Sequence, residues 1–236
     1  MARRRTIRPA EGADSSGPLH TPLDRSRIEA AAVEVLQREG LANISMRKIA
    51  DELGVKAASL YYHVRDKDEL HRLLAERIGS EAPLPDAALP WREQIGQWAA
   101  DFRQALNRYR DAAFIMGATI AATPARLAHI EFLFRLLADT GFGDEQIPWL
   151  ASMLRNYVVG FADEESRLAD RAQRSEMDAA DRERKNREAF EELPADRYPT
   201  LIRLSAMTVS PDLDREFAFG LDVLLDGFEA RLEQAD

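Results

Sequence analysis

The chain has 236 residues, with 32 Lys and Arg against 41 Asp and Glu (formal charge −9), four histidines and no cysteine. Without cysteine there is no disulfide framework and no thiolate nucleophile or metal site, and no apolar run approaches the roughly 18 residues that a membrane span needs. The length suits a small domain of about 60 residues followed by a larger one, and a cytoplasmic protein is expected, because the basic start Met1-Ala2-Arg3-Arg4-Arg5 lacks the apolar stretch of a secretory signal.

In chain order, residues 1–22 set Arg3, Arg4, Arg5 and Arg8 among Gly, Ser and Pro without apolar periodicity. This reads as a disordered basic arm, either one that reaches DNA or a solvated tail. From residue 23 the pattern is helical: Ile28, Ala31, Ala32, Val35 and Leu36 form one stripe, and Gly40 stands at the stop position.

Residues 45–67, SMRKIADELGVKAASLYYHVRDK, hold two short helical patterns split by Gly54. Ile49, Ala50 and Leu53 give the first a single packing face, and Gly54 permits a tight turn. The second, expected over about 56–64, presents small residues and then Tyr61, Tyr62 and His63, with Lys67 close behind. Small side chains let a helix approach a groove wall, and hydroxyl, imidazole and cationic groups bond phosphate oxygens. A helix-turn-helix that binds DNA is the reading, with Arg47, Lys56, Ala57, Ser59, Tyr61, Tyr62, His63 and Lys67 as its contacts. Arg47 and Ser59 are the candidates for base edges. Asp66 and Glu69 form a capping box for a connecting helix that buries Leu70, Leu73, Leu74 and Ile78.

The charge is divided along the chain. Residues 1–80 carry 14 Lys and Arg against 12 Asp and Glu, leaving 18 against 29 beyond them. A mildly basic head on an acidic body confines contact with phosphates to one end.

The body, residues 81–236, is expected to be all-helical. Prolines 83, 85 and 90 mark a linker, and helices are predicted over about 91–108, 125–140 (Leu127, Ile130, Phe134 and Leu137 on one face) and from Pro148 onward. Residues 163–194 are a charge mosaic, either a solvated helix held by side-chain pairs or a mobile insertion. A last helix over about 213–233 has an apolar surface too wide for one partner. Phe217, Leu221, Leu224 and Phe228 are its candidates for a dimer interface, with Gly220 and Gly227 permitting close approach; a plug for the subunit's own core is the alternative.

The head, with its MRKIADELGV…SLYYHV.DK..L pattern, resembles the N-terminal domain of the TetR (tetracycline repressor) family of bacterial transcriptional regulators. The stretches 102–113 and FAFGLDVLLDGFEARLE resemble the tetracycline-repressor subgroup of that family. The resemblance implies an all-α fold, a homodimer that reads a palindromic operator on double-stranded DNA, and a small-molecule effector that weakens DNA binding from the body domain. It carries over incompletely at the ligand. Where those repressors place a magnesium-binding histidine this chain has Met116, another pocket histidine is replaced near Pro83, and an asparagine by Trp98, while Phe102, Thr119 and Glu164 match. Losing imidazole and amide for Met and Trp points to a mostly apolar effector bound without metal or other cofactor. The candidate lining is Trp98, Phe102, Phe114, Met116, Thr119, Phe132, Trp149, Met153, Asn156, Tyr157 and Glu164, although aromatic and Met stripes at helical spacing also build plain cores.

Two other classes stay in view. An enzyme is disfavoured, since His20, His63, His71 and His129 have no metal-pair or nucleophile–base spacing. A dimeric helical ligand-binder without specific DNA reading is disfavoured by the intact set of candidate DNA contacts.

Overall fold

A computed structural model describes residues 22–120, 122–175, 177–209 and 212–233, and every regular element among them is helical. The basic arm expected over residues 1–22 lies almost wholly outside the described residues.

The head begins with α1 (Arg25–Glu39), which Asp24 caps by accepting the Arg27 N–H at 2.8 Å; its expected stripe is buried. At Gly40 the backbone turns to φ 78°, and a short 3-10 turn (Leu41–Asn43) leads to α2 (Met46–Leu53), capped by Ser45. Gly54 ends α2 in the left-handed region (φ 65°, ψ 31°), which a residue with a Cβ enters at a cost. The next helix, α3, is shorter than expected: regular only over Ala57–Leu60, it closes through a turn in which the His63 and Val64 N–H groups both bond to Leu60 O. Two bulky tyrosines in succession weaken local helix propensity, and Leu60 and Val64, fully buried, pin the turn to the head core.

Asp66 then caps α4 (Lys67–Ser80) by accepting the Glu69 N–H at 2.7 Å. The Glu69 carboxylate reaches back one residue further than a standard capping box, to the Arg65 N–H at 2.9 Å. Leu70, Leu73, Leu74 and Ile78 are all buried, so α4 belongs to the head core at one end and meets the body at the other.

The body comprises α5 (Trp91–Asn107), α6 (Ala112–Ala118), α7 (Pro124–Thr140), α8 (Ile147–Arg174), α9 (Ala179–Glu191), α10 (Pro199–Val209) and α11 (Leu213–Leu232). Helix α8 is its spine, with α5, α6, α7 and α11 packed along it, while α4 lies on α7. Arg103 of α5 fastens three of these helices. Its guanidinium lies over the Phe161 and Phe217 rings (5.1 and 4.6 Å), and it pairs with Glu165 and, at 3.0 Å, with Asp214.

Two further elements bear on the sequence reading of the body. Most of the charge mosaic is helical: α8 runs on to Arg174, and α9 is stitched by pairs such as Arg184–Asp181 and Arg187–Glu183, as the side-chain-paired alternative expects. Helix α10 was not among the expected elements; Pro199 occupies its first position, where the missing N–H has no partner to lose.

Candidate functional site

Three surfaces are candidates for function. The first is the tip of the head. Arg47, Lys56, Tyr61, Tyr62 and Lys67 are exposed, Tyr62 to 89 %, while Ala57, Ser59 and His63 are half-buried in the same stretch. An isolated tyrosine ring that open to water buries nothing within the chain, so its surface is available to a partner. Beside it Arg25 donates to His63 O at 3.0 Å and to the Glu69 carboxylate at 2.8 Å. Lys48 pairs with Glu39. The Glu69 carboxylate, held first by the Arg65 N–H and then by Arg25, is pulled down to about 2. The Arg25 and Glu69 bonds fix the α3–α4 corner that presents the tyrosines, while the Lys48–Glu39 pair ties α2 to α1.

The second is a cavity of about 570 Å³ in the body, between α5, α6, α7 and α8. Of the expected lining, Trp98, Phe102, Met116, Thr119 and Asn156 are in its wall. Trp98 and Phe102 stack (centroids 5.4 Å apart, planes 14° apart) and form a flat floor. The other candidates lie elsewhere. Phe114 is exposed on α6 and Phe132 is buried in the core away from the wall. Tyr157 packs on Phe161 and Phe217 and donates to Phe217 O at 2.7 Å. Glu164 pairs with Arg171 at 3.0 Å on the solvent face of α8. Trp149 and Met153 stand outside the cavity altogether.

The wall holds polar residues that the sequence reading passed over. His129 joins two parts of the molecule: Nδ1 lies 3.3 Å from Trp98 Nε1, and Nε2 lies 2.8 Å from the carbonyl of Gly79, near the end of α4. Burial pushes its pKa down. Arg126 is buried and donates to Met116 O at 2.8 Å, Thr119 O at 2.9 Å and Thr119 Oγ1 at 2.5 Å. Arg155 and Ser152 complete the polar rim. The miss has one cause. Of the expected α7 stripe of Leu127, Ile130, Phe134 and Leu137, only Leu137 is buried; the buried face is Arg126, His129, Phe132, Leu133, Leu136 and Leu137. Leu127 is exposed. The spacing of Leu133, Leu136 and Leu137 carries the observed phase, which runs through two ionisable residues, Arg126 and His129.

The third is an outer face. Trp149 and Met153 are one turn apart on α8, and Phe219 and Val223 one turn apart on α11. All four are exposed, Phe219 to 69 % and Trp149 to 65 %, and Trp149, Met153 and Val223 line a groove of about 380 Å³. The expected interface residues divide. Phe217 and Leu221 are buried inside the subunit; Phe228, packed on Phe142, is buried at the base of the groove, and Leu224 is half-buried in its wall. Gly220 serves an intramolecular approach, since a Cβ there would overlap the Tyr157 hydroxyl, whereas Gly227 opens onto the groove. The sequence showed that the helix was apolar on too many sides but not which side turned inward.

Comparison with known proteins gives the same division. The family described as "Bacterial regulatory proteins, tetR family" matches residues 28–74, and that described as "Tetracyclin repressor-like, C-terminal domain" matches residues 83–232. An HTH-type transcriptional regulator of Saccharopolyspora erythraea is 37 % identical over 145 residues, 61 % of either chain. The HTH-type transcriptional repressor DrrR1 of Streptomyces coeruleorubidus is 32 % identical over 226 residues, covering 93 % of this chain and 82 % of its own. Among solved structures, the Streptomyces coelicolor TetR family protein ActR in complex with actinorhodin superposes with a TM-score of 0.78 at 30 % identity, over 90 % of this chain and 99 % of ActR. BioQ bound to its double-stranded DNA operator superposes with a TM-score of 0.64 at 27 % identity, over 89 % and 99 %. With both of its parts matched and the likeness running through nearly the whole chain, this protein belongs to the TetR family of bacterial transcriptional regulators.

Proposed function

We propose that the protein is a homodimeric transcriptional repressor that reads a palindromic operator through its head and is released when a small, mostly apolar organic molecule enters the body cavity. The observation that carries the reading is the bond from His129, in the cavity wall, to Gly79 near the end of α4. One helix thus begins beside the reading tip and ends against the cavity. A second tie runs from α6, whose Met116 lines the cavity, through Asp111 to the Leu41 N–H of the head at 2.7 Å. A molecule that fits one arrangement of α4 and α6 better than the other shifts the population of head positions by that difference in affinity.

In this reading Tyr61, Tyr62, His63 and Lys67 hold phosphates, Arg47 and Ser59 reach base edges, and Lys56 and Ala57 lie against the groove. One short recognition helix buries too little for specificity, so two heads on a two-fold axis are required. The face formed by Trp149, Met153, Phe219 and Val223 supplies the contact: two helices from each subunit make a four-helix bundle, and Leu224 and Gly227 line the seam. The protein acts in the cytoplasm, where the operator is.

The test is DNA selection with the full-length protein, followed by mobility shifts on the recovered sequence and on the intergenic DNA beside its own gene. Recovery of a palindrome bound two subunits per site is expected. Failure to retain any sequence above random DNA would remove the repressor and leave a helical ligand-binding dimer.

A further inference from the structure

We infer that the effector is an aromatic acid, with a flat apolar body against the Trp98 and Phe102 rings and a carboxylate that pairs with Arg126. This rests on the reading of the cavity as the effector site and names the chemistry that the site selects.

Arg126 is only 6 % exposed, and a buried guanidinium is ordinarily matched by an anion. Here its donors go to the carbonyls of Met116, Thr119 and Ile120 and to the Thr119 hydroxyl, which satisfy hydrogen bonds but carry no net charge. The other charge that bears on it is of its own sign. Arg155, on the facing helix α8, donates to the neutral Ser152 and Asn156 side chains at 3.2 Å, and with burial it pushes the Arg126 pKa down. Although the chain has 41 Asp and Glu, no carboxylate among the described residues lines this cavity. Two guanidiniums with neutral partners therefore share one aromatic-floored space.

A neutral ligand would deepen that imbalance by displacing water from both cations. A carboxylate removes it, through charge-assisted hydrogen bonds stronger than those to the carbonyls it replaces. The exchange has a structural consequence. Arg126 now clamps residues 116–120, the end of α6 and the turn after it. An acid that draws the guanidinium into the cavity loosens this end of α6, whose other end is tied to the head through Asp111. The volume of about 570 Å³ accommodates a body of two to four fused rings.

The test uses the full-length dimer and three probes, 2-naphthoic acid, anthracene-2-carboxylic acid and anthraquinone-2-carboxylic acid, each beside its methyl ester. Binding is measured by calorimetry at neutral pH, and release of the selected operator by mobility shift. At least one acid should bind about ten- to a hundredfold more tightly than its ester, the range that a charge-assisted hydrogen bond supplies. Arg126→Gln should abolish that preference. If Arg126→Gln does not fold by circular dichroism, Arg155→Gln, at an exposed position, should reduce the preference several-fold. Esters that bind as well as the acids, a preference that survives in the folded variants, or a panel in which no acid surpasses its ester would each overturn the inference. An ester that releases the operator leaves the effector cavity standing and removes only the acid, whereas a protein that retains no selected DNA removes the repressor reading itself.

Discussion

Asp111 sits in the left-handed region (φ 57°) and its carboxylate accepts the backbone N–H of Leu41 at 2.7 Å, joining residues 70 positions apart across the head–body boundary. Beside it, Gln37 donates to Arg108 O at 2.6 Å and accepts from the Arg110 N–H at 3.0 Å. The 108–111 turn is thus bonded to the head as closely as a turn within one domain would be.

Asp111→Ala should lower stability by about 1–3 kcal/mol, since it strands the part-buried Leu41 N–H and leaves a Cβ at positive φ without a compensating bond. Asp111→Asn, which tolerates that backbone and keeps an acceptor, should be much milder. Thermal unfolding checks both. Operator release by an effector should be blunted in the Ala variant even where operator affinity is retained.

Lys67→Ala should weaken binding to all DNA sequences alike and reduce the slope of log affinity against log salt by about one. Arg47→Ala should instead relax preference at one operator position. Titrations against selected and randomised duplexes at several salt concentrations separate the two. Both substitutions leaving operator affinity unchanged would show that the head meets DNA by another surface.

Phe219→Asp or Val223→Asp should convert the dimer to monomer, because each would bury an unpaired carboxylate at the centre of the outer face. Leu221→Asp should instead unfold the subunit, since that residue is buried within it. Sedimentation velocity with circular dichroism distinguishes loss of assembly from loss of fold.

The Glu69 carboxylate is held at about 2 in the folded head, below the roughly 4.3 of an unfolded chain. Its contribution is therefore complete above the unfolded value and is lost as pH falls from about 4.5 toward 2. Glu69→Gln should lower the melting temperature at neutral pH, and its gap from the parent protein should close across that window. A gap constant from pH 7 to pH 2 would show that Glu69 is not ionised at this corner.

Gly220→Ala should destabilise by about 1–3 kcal/mol through overpacking, since its Cβ would come to 2.9 Å from Tyr157 Cζ and closer still to the hydroxyl. Tyr157→Phe should recover part of that loss by removing the nearer atom. Chemical denaturation of the two single variants and the pair measures the coupling.

Most of the head was legible because its signals are local: Asp66 as a cap, Gly54 at the turn, Leu70 to Ile78 as one face; only the length of α3 was not. The body was legible as helices but not as surfaces. Which side of α11 faces inward depends on Arg103 and Tyr157, contributed by helices far away in sequence. The cavity wall was half read for a similar reason. Trp98, Phe102 and Met116 stood out by chemistry, while Arg126 and His129 were hidden because a buried stripe is expected to be apolar, and these two violate that rule where the proposed effector would bind.

The two bonds of His129 settle where its proton is. The Trp98 indole can only donate, so Nδ1 must accept; the Gly79 carbonyl can only accept, so Nε2 must carry the hydrogen. The ring is neutral and both its nitrogens are committed, which leaves no lone pair for a divalent cation. Should the end of α4 slide away, the Nε2 hydrogen of this buried ring would lose its acceptor, at about 1–3 kcal/mol. That amounts to roughly a five- to 150-fold ratio between two positions of one helix. A single imidazole can thus act as the latch whose strength sets how much an effector must supply before the repressor lets go.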